Sequence, residues 1–401
     1  MRKLGIALAS AVAVVALGAV TSASADDINI GILLGFSGPL EALAPPIAAG
    51  AELAVKQIND QGGVQGGKLV AIRDDGTCAD ATAAANAADR LINTKKVLAI
   101  VGGMCSGETI SAANTAGIPT NTVMISPSST APSLTTMDDK DLVFRTAPSD
   151  AYQGEVLARL LMSKGLKNVA VAYVNNDYGK GLADTFTAAF KADGGTVAAV
   201  AAHEEGKADY RAELGTLAAS GSQTLVLLAY AQGSGQTMLR QAIESGDFTH
   251  FVGADGMISD DLFKGMDTKA LEGMIGTKPG TPDVPGAKLF QDAEKAAGLD
   301  PSKIYGPEAY DAAFLLALAI EKNGAKREGL SAAVRAVATA PGEVILPGEW
   351  KKAKAIIDAG GDVNYEGATG PVEFDAHGDV AGFILEQVVK DGKWVSVGPA
   401  N

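Results

Sequence analysis

The chain has 401 residues, 47% of them hydrophobic, with two cysteines, three histidines and a formal charge of −14. So acidic a surface argues against nucleic acid and anionic membrane as partners, and it says nothing of fold. The length sets an expectation of two domains.

Residues 1–25 read as an export leader rather than as part of the fold. Arg2 and Lys3 give a basic start, Leu4 to Val20 is apolar, and Ala23-Ser24-Ala25 is an A-x-A cleavage pattern. The expected product is a periplasmic protein cut after Ala25. The junction has no cysteine for a lipid anchor, and the apolar run is short and rich in small residues for a membrane span. Losing Arg2 and Lys3 takes the formal charge from −14 to −16, since no acid precedes Asp26. No later segment approaches the length of a membrane helix, so the mature chain is expected to be soluble.

Beyond Asp26 the pattern alternates strand and helix. Ile28 to Leu34 is a strand, followed by Gly35-Phe36-Ser37-Gly38-Pro39, which is not the G-x-G-x-x-G of dinucleotide sites. Pro45-Pro46 opens a helix through Ile58. Lys68 to Arg73 reads as a strand and Asp80 to Ile92 as a helix. Val97 to Val101 is a continuous apolar run that suits a strand covered on both faces. Ser106 stands where a helix N-cap belongs, with Glu108 in the first turn to complement the dipole. Thr122 to Ile125 is the next strand, and Ser126-Pro127-Ser128-Ser129-Thr130 follows its C-terminal end. In open parallel sheets ligands bind outside the carboxyl ends of the strands. Ser106 and Thr130 therefore stand where helix N–H groups and hydroxyls would hold a carboxylate. The local pattern alone fits a plain helix cap and an ordinary turn equally well.

A second α/β set starts near Ser149. It has helices over Tyr152–Ser163, Gly179–Lys191, Asp209–Ala219 and Gly235–Glu244, and strands over Asn168–Val174, Thr196–Ala201 and Thr224–Ala229. Phe251-Val252 leads into Gly253-Ala254-Asp255-Gly256. From Gly273 the chain reads as loop-rich around Pro279, Pro282 and Pro285, then gives helices over Pro307–Asn323, Gly329–Ala338 and Trp350–Ala359. Gly370 to Phe374 reads as extended, and Phe383–Lys390 with Lys393–Val397 as a hairpin turning at Asp391-Gly392. The pattern predicts doubly wound α/β sheets in two lobes around a cleft, a favoured place for a small-molecule site.

Cys78 and Cys105 are an even count in an exported chain, each just past the end of a predicted strand, so a disulfide between them is expected. The bond would steady the turn that carries Ser106. His203, His250 and His377 are scattered, form no metal set and are expected at the surface. No cofactor is called for.

The motifs, in this order and at these separations, resemble the branched-chain amino-acid-binding proteins of bacterial ABC importers over essentially the whole mature chain. They are Phe36-Ser37-Gly38-Pro39, Gly62-Gly63-Val64-Gln65-Gly66-Gly67, Cys78 with Cys105-Ser106, Ile125-Ser126-Pro127 to Thr130-Ala131-Pro132, Asn176-Asp177-Tyr178-Gly179-Lys180-Gly181 and Gly253-Ala254-Asp255-Gly256. The resemblance implies a type I periplasmic binding protein fold: two doubly wound α/β lobes joined by three hinge crossings, near Ala147, Thr277 and Gly370. Lobe 1 would hold residues 26–146 and 279–370, and lobe 2 residues 147–278 and 371–401.

The resemblance also implies a site. Ser106 and Thr130 would bind a ligand carboxylate, and the carbonyl of Ser128 and the side chain of Asp255 its ammonium. Tyr178 would close over the ligand from the second lobe, with Tyr310 and Tyr230 as further pocket aromatics. Leu43 departs from the pattern, standing where the family often has an aromatic on the side-chain pocket. The implied function is capture of an amino acid, branched-chain or otherwise small and aliphatic, or a close analogue, by lobe closure. Delivery to an ABC permease follows, from a monomer. The alternatives are the same fold with an amide, urea or aromatic acid as ligand, or a sensory module. An exported enzyme fits poorly, for the chain has no G-x-S-x-G elbow, metal spacing or nucleotide loop, and Asp74-Asp75 reads as a solvated turn.

Overall fold

The computed structural model describes residues 26–400, so the leader and its cleavage site lie outside the described residues. Near-continuous apolar strands, each followed by a helix, need cover on both faces, and the chain meets that need twice. The first set is Ile28–Leu34 (β1), Ala44–Asp60 (α1), Leu69–Asp75 (β2), Ala81–Asp89 (α2), Ile100–Gly102 (β3), Ser106–Ala112 (α3), Met124–Ser126 (β4), Pro132–Thr135 (α4) and Val143–Arg145 (β5). Its five strands form a parallel sheet in the order β2-β1-β3-β4-β5. The short β5 has no counterpart in the sequence reading.

The second set is Asp150–Ser163 (α5), Asn168–Val174 (β6), Asp177–Ala192 (α6), Thr196–His203 (β7), Arg211–Ala218 (α7), Thr224–Leu228 (β8), Gln236–Ser245 (α8), His250–Gly253 (β9) and Ile275–Pro279 (β10). The chain then returns to the first lobe with Pro285–Ala296 (α9), Gly306–Asn323 (α10), Leu330–Ala338 (α11), Glu343–Ile345 (β11), Trp350–Asp358 (α12), Val363–Gly367 (β12) and Gly370–Pro371 (β13). The final hairpin, Ile384–Lys390 (β14) and Lys393–Pro399 (β15), completes a second sheet ordered β15-β14-β10-β9-β8-β6-β7. In it β14 runs antiparallel to both β10 and β15, and the other pairings are parallel.

The third segment belongs to the first lobe because α10 is buried on nearly every face and packs along α1. The two helices approach so closely that a Cβ on Gly50 would lie 2.3 Å from the Gly306 carbonyl oxygen, which leaves glycine as the residue that fits. Pro279 and Pro285 mark the end of a strand and the first turn of a helix here, where the sequence reads as loop. Proline suits both positions, since a helix start has N–H groups to spare.

The crossings differ from expectation in two places. Thr277 is still paired with Glu386 in the second sheet, so that crossing follows Pro279. The third lies beyond Gly370, because residues 372–379 stay on the first lobe. Phe374 packs on Phe144 with ring centroids 4.9 Å apart, and Asp379 accepts from the buried Arg145 guanidinium at 2.6 Å and 2.7 Å. The extended run read at Gly370–Phe374 is a strand only at Gly370–Pro371. Among the described residues no helix is long and apolar enough to cross a membrane.

Candidate functional site

The first wall is the turn after β3. Cys105, not Ser106, caps α3, with Glu108 closing a capping box back onto the Cys105 N–H. Ser106 is the first helical residue, and its Oγ accepts the Ala131 N–H at 3.1 Å, tying the helix start to the polar turn after β4. Cys78 and Cys105 are joined, their Cα atoms 5.4 Å apart. Glu108 is buried beneath this bond with one carboxyl oxygen unpartnered, and burial pushes its pKa up to about 8.

The polar turn is stitched to that wall. Ser126 Oγ donates to the Gly103 carbonyl at 2.6 Å, and Ser128 Oγ donates to the Met104 carbonyl at 2.8 Å. Thr130 faces the other way: its hydroxyl donates to Asp150 Oδ2 at 2.8 Å, and its carbonyl accepts the Asp150 N–H at 2.8 Å.

The opposite wall comes from the second lobe. Asp255 follows β9 and is 4% exposed. Its Oδ1 accepts from Tyr178 Oη at 2.9 Å and Gln153 Nε2 at 2.9 Å, and its Oδ2 from Tyr305 Oη at 2.7 Å. Asn176 caps α6 through the Gly179 N–H and so fixes Tyr178 in its first turn. Tyr178 stacks on Tyr230 at 5.3 Å, and Tyr230 Oη accepts from Asn176 Nδ2. Burial raises the pKa of Asp255, and its three donors oppose that rise. Asp150 is raised further, by burial and then by the charge of Asp255, and Asp150 Oδ1 and Gln153 Oε1 are buried without partners. Asp150 and Gln153, three apart on α5, share one helix face.

Leu43, Ser106, Ser128, Tyr178, Tyr230 and Asp255 line one small cavity between the lobes, together with Leu40, Met104 and Tyr305. Its volume is about 20 Å³, so a ligand enters as the lobes part. Thr130 stands behind this cavity, engaged with Asp150. Tyr310 is elsewhere: it is buried in the first lobe between Phe290 and Phe314, and its hydroxyl meets Gln57 and the Gly348 N–H. The cavity aromatic from this part of the chain is Tyr305, just before α10. His203, expected at the surface, is 2% exposed and bonds Ser234 Oγ at 2.8 Å.

A cavity walled by both lobes, with hydroxyls and a helix start on one side and a buried carboxylate on the other, has the chemistry to hold a small polar molecule. Comparison with known proteins agrees, since the family described as "Receptor family ligand binding region" matches residues 47–388. The chain belongs to this family. The leucine-, isoleucine-, valine-, threonine- and alanine-binding protein of Pseudomonas aeruginosa is 33% identical over 318 residues, covering 79% of this chain and 84% of the relative. A chemotactic signal transduction system substrate-binding protein of Halobacterium salinarum is 29% identical over 387 residues, 91% and 88% of the two chains. A leucine-binding protein of Thermotoga maritima matches with a TM-score of 0.76 at 25% identity, covering 93% of this chain and 99% of its own.

Within the family frame, sequence reasoning missed Tyr305, Asp150 and Gln153. Tyr305 lies in a stretch without periodicity, and the Tyr-Gly-Pro before a long helix is its one local signal. Ser149-Asp150 marks a helix start, which conceals a residue that also faces the site.

Proposed function

We propose that this family member is an exported solute-binding protein that captures an α-amino acid between its lobes and presents it to an ABC permease. The observation that carries the reading is Asp255, a carboxylate buried in the cavity opposite Ser106 and the start of α3. A zwitterion trapped there needs both charges met, because an unpaired buried charge costs several kcal/mol. Ser106 and the first N–H groups of α3 would take the carboxylate, and Asp255 with the Ser128 carbonyl the ammonium. Thr130, its proton given to Asp150, would hold the wall behind the carboxylate site rather than meet the ligand. Tyr178 and Tyr230 would supply apolar faces that close over it. Lobe closure then follows from contacts that exist only when both walls meet the ligand. We place the mature protein in the periplasm as a monomer, its partners being the amino acid and the permease. The Halobacterium relative supports a second reading, the same capture feeding a chemotactic receptor.

The deciding experiment is a thermal-shift screen of the mature chain, unfolded and refolded to strip bound ligand. The panel holds the L-amino acids, γ-aminobutyrate, urea, short amides and aromatic acids. A ligand that binds only the folded state raises its melting temperature. A rise with α-amino acids is expected. A rise only with molecules that lack an ammonium would overturn the role given to Asp255.

A further inference from the structure

Leu43 and Tyr305 line the amino-acid cavity on one side and, on the other, a larger cavity of about 490 Å³ between the lobes. Two groups on the larger cavity's wall are sparsely partnered, and one of them is buried. Lys278, near the end of β10, is half-buried, and its ammonium has one protein contact, the Ser302 carbonyl at 3.5 Å. Among the described residues it forms no ion pair. Glu308, in the first turn of α10, is 3% exposed, and its Oε2 has no hydrogen-bond partner. The other charges on this wall are engaged, Asp260 with Lys303 and Asp261 with Lys264. Buried polar groups in native proteins are satisfied, so such an exception asks what satisfies it. Burial, chiefly, holds the Glu308 carboxyl up at about 8, so at neutral pH it is a protonated donor, and burial lowers the pKa of Lys278. A cation and a neutral acid together offer donors to an anion and reject a second cation.

We propose that the larger cavity receives the far end of the ligand's side chain and selects one that terminates in a carboxylate. This rests on the amino-acid reading above and narrows it. Leu43 and Tyr305 are the two residues common to both linings, so a side chain that reaches the larger cavity passes between them as the lobes part. The ligand class is therefore an α-amino acid with an unbranched, acid-terminated side chain, held by Lys278 and by the Glu308 hydroxyl.

The test is calorimetric titration of the ligand-stripped full-length mature chain with L-glutamate, L-2-aminoadipate and L-2-aminopimelate against L-leucine and L-norleucine. At least one acid-terminated ligand is expected to bind about tenfold or more tighter than norleucine, the effect of one or two hydrogen bonds to a charged group. Lys278→Met is expected to bring that ratio to about one, and Glu308→Gln to reduce it in part. Residual binding of either class certifies that each variant is folded. Norleucine or leucine binding as tightly as every acid-terminated ligand overturns the proposal, and so does a Lys278→Met protein with the ratio unchanged. In either case α-amino acids still bind, and the reading on which the proposal rests survives. A chain that binds neither class overturns the proposal, and the full amino-acid thermal-shift panel decides the reading beneath it.

Discussion

Tyr305 of the first lobe donates its hydroxyl to Asp255 of the second at 2.7 Å, so the carboxylate assigned to the ligand's ammonium also joins the two walls directly. The bond is buried on both sides. It favours the closed arrangement, and an arriving ammonium must share or displace it. In Tyr305→Phe, Asp255 keeps Tyr178 and Gln153 but loses this tie. The unliganded protein is expected to open, read as a larger radius of gyration in small-angle scattering, with affinity changed by less than about tenfold. Unaltered scattering would show that the bond does not govern closure.

Asp255 itself allows a sharper test. Asp255→Asn keeps the shape and removes the charge, so a bound ammonium loses its buried counter-ion. Affinity for α-amino acids is expected to fall about a hundredfold, the scale of a broken buried charge pair. Calorimetry reads this directly, and unchanged binding would remove Asp255 from the site.

The neighbourhood of Asp255 sets a pH dependence. Asp150, Tyr178, Tyr305 and Gln153 surround it, burial raises both carboxyls, and the charge of Asp255 raises Asp150 as well. The ammonium pairs with ionised Asp255, so affinity is full at high pH and falls as pH drops through the raised pKa. The fall is expected above the ordinary carboxylate range. Asp150, raised further, stays protonated while Asp255 titrates, so Asp150→Asn is expected to leave the midpoint of affinity against pH in place. A midpoint near 4, about where a free carboxyl titrates, would mean that burial does not raise Asp255, and a midpoint that falls in Asp150→Asn would mean that Asp150 is ionised beside it.

What the sequence made legible follows the strength of its local signals. Ile28–Leu34 and Asn168–Val174 are read to the residue because an apolar run bounded by polar turns admits one interpretation. The stretch from Gly273 to Val284 hides β10 because the partner along its whole length lies in the final hairpin, its pairing with β9 being confined to Ile275 and Gly276, and α9 opens on a proline that reads as loop. Cleft residues carried by motifs, Ser106, Tyr178 and Asp255, were found. The resemblance points to Tyr310, which faces the core of the first lobe, and it passes over Tyr305, five positions earlier on the loop that faces the cleft. His203 shows the same limit: a strand's last residue is exposed or buried according to what packs above it, here the loop of Ser234.

That histidine is a stability element. Ser234 gives its hydroxyl proton to Glu205 Oε1 at 2.7 Å, so His203 must donate from Nε2, which leaves Nδ1 bare and buried. Burial lowers the His203 pKa to about 4, against 6.5 for a free side chain. The unfolded chain therefore binds more protons between these values, and stability present above 6.5 is lost as pH falls toward 4. His203→Gln is expected to flatten this decline by about 2 kcal/mol near pH 5. Urea unfolding at pH 5 and 7 measures it, and parallel losses in both proteins would assign the acid lability elsewhere.

Arg145 and Asp379 pin the third crossing to the first lobe. Arg145 is 2% exposed, and its guanidinium also meets the Ala131 carbonyl at 3.0 Å and Thr135 Oγ1 at 2.7 Å. Asp379→Asn leaves that buried cation without its counter-charge, a cost of about 3 kcal/mol. The exposed pair Lys56–Asp60 is the control, since breaking a surface ion pair costs under about 1 kcal/mol. Urea midpoints are expected to separate the two variants clearly. The crossing is also where the lobes turn on one another. Residues 372–379 held to the first lobe confine the turn to the short segment before β14, so freeing them lengthens the hinge. Asp379→Asn should then raise amide exchange across 372–383 before the protein unfolds globally, whereas a purely global loss of stability would leave that segment no faster than its neighbours.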